Sequence, residues 1–298
     1  MATTRTTDGM IPFTVGDETF HTWYKVFGDL KNSTRTPLVV LHGGPGLTHD
    51  YLIPLSDLTR IASIPIVLYD QIGNGRSTHL RSKSKSFWTI DLFISELENL
   101  VSGLGIAERF DILGHSWGGS LAAEFAIRRQ HPGLRMLVLS NALASRSLRI
   151  KAERQLHALL PREHRDAIAA GPEADKEKYE AALEYYGSLH LCTVQPMPTE
   201  LVYSLAQIKP ETGDPTVVTN VFGGEYNDEW TVIDRLDRIL VPTFVVNGRA
   251  DPMQDSVCKP LFDGIRKAKW LTFEGSSHSP FWEERERYME IIIDFLSL

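Results

Sequence analysis

The chain has 298 residues, 42% of them hydrophobic, enough for one large domain or for a core domain carrying an insertion. Its formal net charge of -7, from 38 acidic and 31 basic residues dispersed in short clusters, offers no basic field to attract nucleic acid or anionic lipid. Its two cysteines, Cys192 and Cys258, belong to no C-x-x-C pair, which argues against a disulfide framework and a thiolate metal site and leaves both as packed thiols.

The opening MATTRTTDGM is polar and Thr-rich without an apolar leader-type run, and no stretch approaches the roughly 20 apolar residues that span a bilayer. A cytoplasmic protein with no membrane partner is expected. IPFTV and TFHTWYKVF flank Gly16-Asp17-Glu18 and read as a hairpin. Compact apolar runs follow: PLVVL (37–41), IPIVLY (64–69), FDIL (110–113), RMLVLS (135–140), VPTFVV (241–246) and KWLTF (269–273). Continuous apolarity marks strands covered on both faces. Helical patterns lie between them, over 91–104, over 116–129 and, amphipathically, over 280–296. Strands alternating with helices imply a mostly parallel α/β sheet with helices on both faces. From about 145 to 229 no buried strand is legible, but LRIKAERQLHALL, PREHRDAIAA, ADKEKYEAALEYYGSLHL and PTELVYSLAQI read as helices. We therefore expect one α/β core, 1–144 and 230–298, carrying an all-helical cap over 145–229.

The chemistry is concentrated in GHSWGGS (114–120), a G-x-S-x-G pattern with an apolar strand before it and an alanine-rich helix after it. Glycines on either side permit a sharp strand-to-helix turn that presents Ser116, with the helix N-terminus favouring negative charge. A serine hydroxyl needs a base and an orienting acid, each expected in a loop at the C-terminal end of a strand. Asp251 follows the 241–246 run. His278, alone among ten histidines, lies between the last strand and the C-terminal helix. The order Ser, Asp, His fits an α/β-hydrolase. Asp255 is the rival acid, placed inside the next helix pattern. His21, His131, His157, His164 and His190 fall on hairpin or helix surfaces, where solvation is the default.

LHGGPG (41–46) follows the first buried strand with an open backbone able to aim N–H groups at a substrate oxygen. Gly44 is the first choice for one oxyanion donor and the N–H of Trp117 for the other. Gly43 and Gly46 read equally as turn glycines or direct contacts. His42 reads as a structural hydrogen-bonder. His115 is either packed or part of the pocket lining, with packing favoured. DQIGNGRS (70–77) lacks both phosphate-loop patterns and reads as a structural turn beside the site.

HGGPG with the following LTHDYL, YDQIGNGRS, GHSWGGSLA, the acid in NGRADP and the histidine in SSHSPFWEERE together resemble the prolyl iminopeptidase (proline iminopeptidase) family of the α/β-hydrolase fold, from about Ile11 to Leu298. The resemblance implies Ser116 as nucleophile, His278 as base, Asp251 as its orienter, oxyanion donors from Gly44 and Trp117, and a helical cap. It also implies glutamates that hold the substrate's α-ammonium, one in the cap and, in some members, one directly after the catalytic Asp. Here Pro252 follows Asp251, so the second anchor is absent. FGGEY (222–226) sits where the family carries a G-P-x-E-F segment. Glu225 is either the remaining amine anchor or an exposed loop glutamate. With Gly43 and His115 it completes the candidate substrate contacts.

The expected activity is that of a serine hydrolase using no metal or other cofactor. Release of an N-terminal residue from small peptides or amino-acid amides comes first, and an esterase, amidase or lactonase acting on a small acyl molecule second. A non-catalytic binding protein of the same fold is the minor alternative, and acyl transfer to an acceptor other than water is not separable from hydrolysis by the triad alone.

Overall fold

The computed structural model describes residues 5–298, so the first residues of the MATTRTTDGM stretch lie outside the described residues. Eight strands form one sheet: β1 (Thr6–Val15), β2 (Glu18–Phe27), β3 (Leu38–Leu41), β4 (Ile66–Asp70), β5 (Phe110–His115), β6 (Leu134–Ser140), β7 (Thr243–Gly248) and β8 (Ala268–Phe273). Their order is β1-β2-β4-β3-β5-β6-β7-β8. β1 pairs antiparallel with β2 and β2 antiparallel with β4, and every other pairing is parallel. Gly16, at a φ of 60°, makes the two-residue turn that pairs Val15 with Glu18.

The continuous apolar runs have a physical reason. In β3, Val39 and Leu41 enter one apolar cluster while Leu38 and Val40 enter another on the opposite face. The first cluster packs α2 (Ile90–Gly103), α3 (Trp117–Arg129) and α9 (Asp255–Gly264) on one face; the second packs α1 (Asp57–Ala62) and α11 (Arg285–Leu296) on the other. Each of these fully buried aliphatic side chains contributes about 1.5–3 kcal/mol. The chain thus has the α/β-hydrolase architecture, a mostly parallel sheet with helices on both faces.

Two departures from the sequence pattern are instructive. The expected helix over 280–296 is broken into α10 (Pro280–Glu283) and α11, because Glu284 leaves helical backbone geometry and its carboxylate accepts from Gly275 N–H and Ser276 Oγ. The second lies between β6 and β7, where the chain forms α4 (Arg146–Ala158), α5 (Arg162–Ala170), α6 (Lys176–His190), α7 (Thr199–Ala206) and α8 (Thr216–Phe222). The last of these, TVVTNVF, has no helical signature, yet Val217 and Val221, one turn apart, are fully buried and decide its conformation. An antiparallel bridge, Ser145 with Thr231, brings the two ends of this segment side by side. Among the described residues no helix is long and apolar enough to cross a membrane.

Candidate active site

β5 runs straight into Ser116, whose backbone at φ 56° and ψ -121° lies in a strained region for a residue with a side chain, and α3 starts at the next residue. The flanking glycines make the turn sterically possible. A Cβ at Gly114 would stand 2.2 Å from the Gly118 carbonyl oxygen, and one at Gly118 would stand 2.2 Å from that of Leu41. Ser116 N–H donates to the Ser140 carbonyl at 3.0 Å, fixing the elbow to the end of β6.

The sheet brings the other two candidates to the same edge. Asp251, fully buried, follows β7, and His278, 8% exposed, follows β8. His278 Nδ1 lies 2.7 Å from Asp251 Oδ1, so an ionised Asp251 fixes the proton on Nδ1 and leaves Nε2 as the acceptor. The carboxylate accepts from two further donors, Met253 N–H on Oδ1 and Asn141 Nδ2 on Oδ2. No hydrogen bond joins the Ser116 hydroxyl to the His278 ring; in enzymes without bound substrate this contact is commonly long and tightens in the complex. The link between the two segments runs instead through His115, the neighbour of Ser116, whose ring lies 4.6 Å from that of His278 and whose Nε2–H donates to the His278 carbonyl. Asp255 points away, accepting from Asn247 and Arg249.

Several expected contacts have a different occupation. His115 is packed rather than lining a pocket: both ring nitrogens are engaged, Nδ1 by the Tyr51 hydroxyl at 2.7 Å, and burial with the neighbouring His278 keeps its pKa well below the ordinary value. Gly43 spends its N–H on the same Tyr51 oxygen, and a Cβ there would stand 3.0 Å from Ser116 Cβ, so its glycine serves close packing. Glu225 is exposed, and its Oε2 accepts from the Ile90 N–H at the start of α2, where negative charge complements the helix dipole. That bond occupies one of the two carboxylate oxygens within the fold itself. Of the histidines expected to be solvated only His21 is exposed; His131, His157, His164 and His190 are half-buried, His131 against Phe110 and Phe125, and His190 with Nδ1–H on the Ala250 carbonyl beside Asp251.

The backbone N–H groups of Gly44 and Trp117 donate to no other group among the described residues, in contrast to that of Gly43. The loop around them is braced from below. His42 accepts from Gln71 N–H on Nε2 and donates from Nδ1 to Gly43 O, and burial pushes its pKa down to about 4. Gln71 in turn donates to the His42 carbonyl and accepts from Trp117 Nε1, so DQIGNGRS holds the start of α3 against the LHGGPG loop. Nearby, His49, Asp50 and Asp70 could share a metal ion, but the Arg76 guanidinium already bridges both carboxylates. Tyr51, Gln71 and Asn141 escaped the sequence reading, although Asn141 stands at the C-terminal end of a parallel strand, where functional side chains gather.

An elbow serine at the end of a parallel strand, beside a buried His-Asp pair, defines a serine hydrolase of the α/β-hydrolase class. Residues 36–285 match the family described as alpha/beta hydrolase fold. The chain is 36% identical over 281 residues to the proline iminopeptidase of Saccharolobus solfataricus, covering 92% of this chain and 88% of that one. Among solved structures it resembles VinJ (TM-score 0.89, 41% identity) and the proline iminopeptidase of Mycobacterium smegmatis (TM-score 0.86, 34% identity), each over 98% of both chains. The chain belongs to the proline iminopeptidase family of the alpha/beta hydrolase fold.

Proposed function

We propose that this hydrolase releases the N-terminal residue from small peptides or amino-acid amides, with Ser116 as nucleophile, His278 as base and Asp251 as its orienter. Ser116 Oγ attacks the acyl carbon while its proton passes to His278 Nε2 and then to the leaving amine. Water next opens the acyl-enzyme, giving its proton to the same nitrogen, which returns it to Ser116 as the acid departs. The unengaged N–H groups of Gly44 and Trp117 supply the oxyanion donors, with the α3 N-terminus behind them. Residues 145–229 act as a cap over the strand ends. The observation that carries the catalytic assignment is the 2.7 Å His278–Asp251 pair beside the elbow serine. The N-terminal specificity is supported by the relatives named proline iminopeptidase.

A second reading, an esterase, amidase or lactonase on a small acyl molecule, is favoured by one specific observation. The carboxylate expected to hold an α-ammonium, Glu225, is committed to the N-terminus of α2, and Pro252 replaces the other anchor. Turnover of prolyl and alanyl naphthylamides against neutral esters and lactones separates the two. Amide turnover that is lost in Ser116→Ala supports the first reading; turnover of esters alone overturns it. Fluorophosphonate labelling abolished by Ser116→Ala is the expected sign of the nucleophile, and an unlabelled folded protein would count against catalysis.

A further inference from the structure

We infer that Asn141 is a positioning residue of this site, and that the dipeptide Ser140-Asn141 at the end of β6 ties the serine, the acid and the histidine segment to one another. The inference rests on the catalytic assignment proposed above. Each tie is a hydrogen bond. The Ser140 carbonyl accepts from Ser116 N–H at 3.0 Å, and Asn141 Nδ2 donates to Asp251 Oδ2 at 2.6 Å and to the Ser277 carbonyl, the residue before His278, at 3.3 Å. One amide group therefore touches both the acid and the backbone that carries the base.

The amide's orientation is dictated rather than chosen. Tyr288 Oη donates to Ser140 Oγ at 2.9 Å, which leaves Ser140 Oγ–H to donate to Asn141 Oδ1 at 2.8 Å. With Oδ1 receiving a hydroxyl proton, Nδ2 must face Asp251 and Ser277, both pure acceptors. Burial pushes the Tyr288 phenol above its ordinary pKa, so the chain's first proton stays in place. Asn141, Ser140 and Asp251 are all completely buried, where a half-satisfied network is heavily penalised. The backbone agrees. Asn141 sits at a φ of 52° with its N–H on the Val246 carbonyl, a left-handed conformation that Asn tolerates better than other side chains.

An aspartate here would set two carboxylates face to face, and glycine would keep the backbone while deleting the donor. Each removes a charge-assisted bond from Asp251, strengthening the negative field at His278 and favouring its protonated form. The other titratable groups around the pair are His115, Cys258, Tyr186, Glu283 and His190, which gives its Nδ1–H to the Ala250 carbonyl. Burial lowers His115 and raises the Cys258 thiol and Tyr186 phenol, while Glu283 is held by Ser277 N–H and Oγ.

The test follows kcat/KM against pH, from about pH 5 to 9, for whichever acyl substrate the wild type turns over, alongside fluorophosphonate labelling and thermal melting. We expect Asn141→Gly to lower kcat by roughly 10- to 100-fold and to move the acid limb to higher pH, and Asn141→Asp to move it further. Ser140→Ala, which deletes only the hydroxyl that orients the amide, should shift the limb the same way by less, and it carries the test where a change at Asn141 prevents folding. Acid limbs that coincide with the wild type in folded, labelled variants overturn the inference and leave the catalytic assignment standing. Absence of labelling in the wild type overturns that assignment, and the inference with it.

Discussion

At the scale of single residues, the proposed site is held by buried side chains outside its serine, histidine and aspartate. Tyr51 is the clearest case. Its one oxygen accepts from Gly43 N–H and donates to His115 Nδ1, each at 2.7 Å, in a fully buried position. Tyr51→Phe keeps the ring and its packing on His115 and Phe281 but strands a buried donor and a buried acceptor. Leaving such groups unpaired costs about 1–3 kcal/mol. A lower urea midpoint at unchanged m-value is the expected outcome, and an unchanged midpoint would mean that the two orphans find other partners. This residue also marks a limit on what a sequence discloses. Ser116, Asp251 and His278 were legible as candidates because each follows an apolar run that identifies itself as a strand; the runs of β5 and β7 are buried throughout, whereas β8, at the edge of the sheet, is only partly covered, contrary to the expectation for KWLTF. Tyr51 lies in a loop of helical turns whose aim depends on packing, and nothing local to LTHDYL says that its hydroxyl meets His115, 64 residues away.

At the scale of elements, the same distinction separates the strands from the helices around them. Buried strands are announced by both faces being apolar. α8 is not announced, because its β-branched TVVTNV favours a strand locally and only burial of Val217 and Val221 makes it a helix. Glu225 is a further example: its role was set by the position of Ile90 at the start of α2, which no neighbour in sequence reveals. α2 carries a second misplaced-looking acid. Glu96 is completely buried, accepting from Thr22 Oγ1 in β2 and from Ile72 N–H in the loop after β4, and burial pushes its pKa up from about 4.5 to about 8. A carboxyl whose folded pKa is raised contributes stability that is fully present below about pH 4.5 and is lost as the pH rises through about 8. Glu96→Gln can keep both contacts, its oxygen accepting from Ile72 and its amide donating to Thr22, without an ionisable proton. The melting temperature of the variant relative to the wild type should therefore climb between pH 5 and pH 8. A difference independent of pH would show that Glu96 does not titrate in this range.

At the scale of the whole molecule, the question is how a helical segment of some eighty residues, returning to the sheet only at β7, is held to a core that does not need it for its strand order. The exit of that segment is fastened to the helix that follows the elbow serine. Glu124 of α3, with 1% of its side chain exposed, accepts from Trp230 Nε1 at 3.0 Å and from the guanidinium groups of Arg235 and Arg128 at 2.8 to 3.0 Å. Burial alone would raise its pKa, but the two arginines outweigh it and hold the carboxyl below the ordinary value. It is thus charged at neutral pH, and its stabilising contribution is lost only as acid pulls the pH below the ordinary carboxylate range. Trp230 and Tyr226 extend the clamp, their rings tilted against each other 4.6 Å apart, with Tyr226 in turn 4.6 Å from Trp117 and its hydroxyl on Ser120. Glu124→Ala removes the one acceptor these three donors share. Breaking a buried charged cluster from one side costs about 3–5 kcal/mol, and the partial exposure of both arginines, 30% and 35%, places the expected loss toward the lower end. Because the clamp joins the segment's exit to α3, the loss should appear in chemical denaturation as a single weakened transition. A separate early transition would mean instead that the segment unfolds independently of the sheet. Glu124→Gln, which keeps the shape and one acceptor, should recover part of the stability and distinguish the lost charge from the cavity.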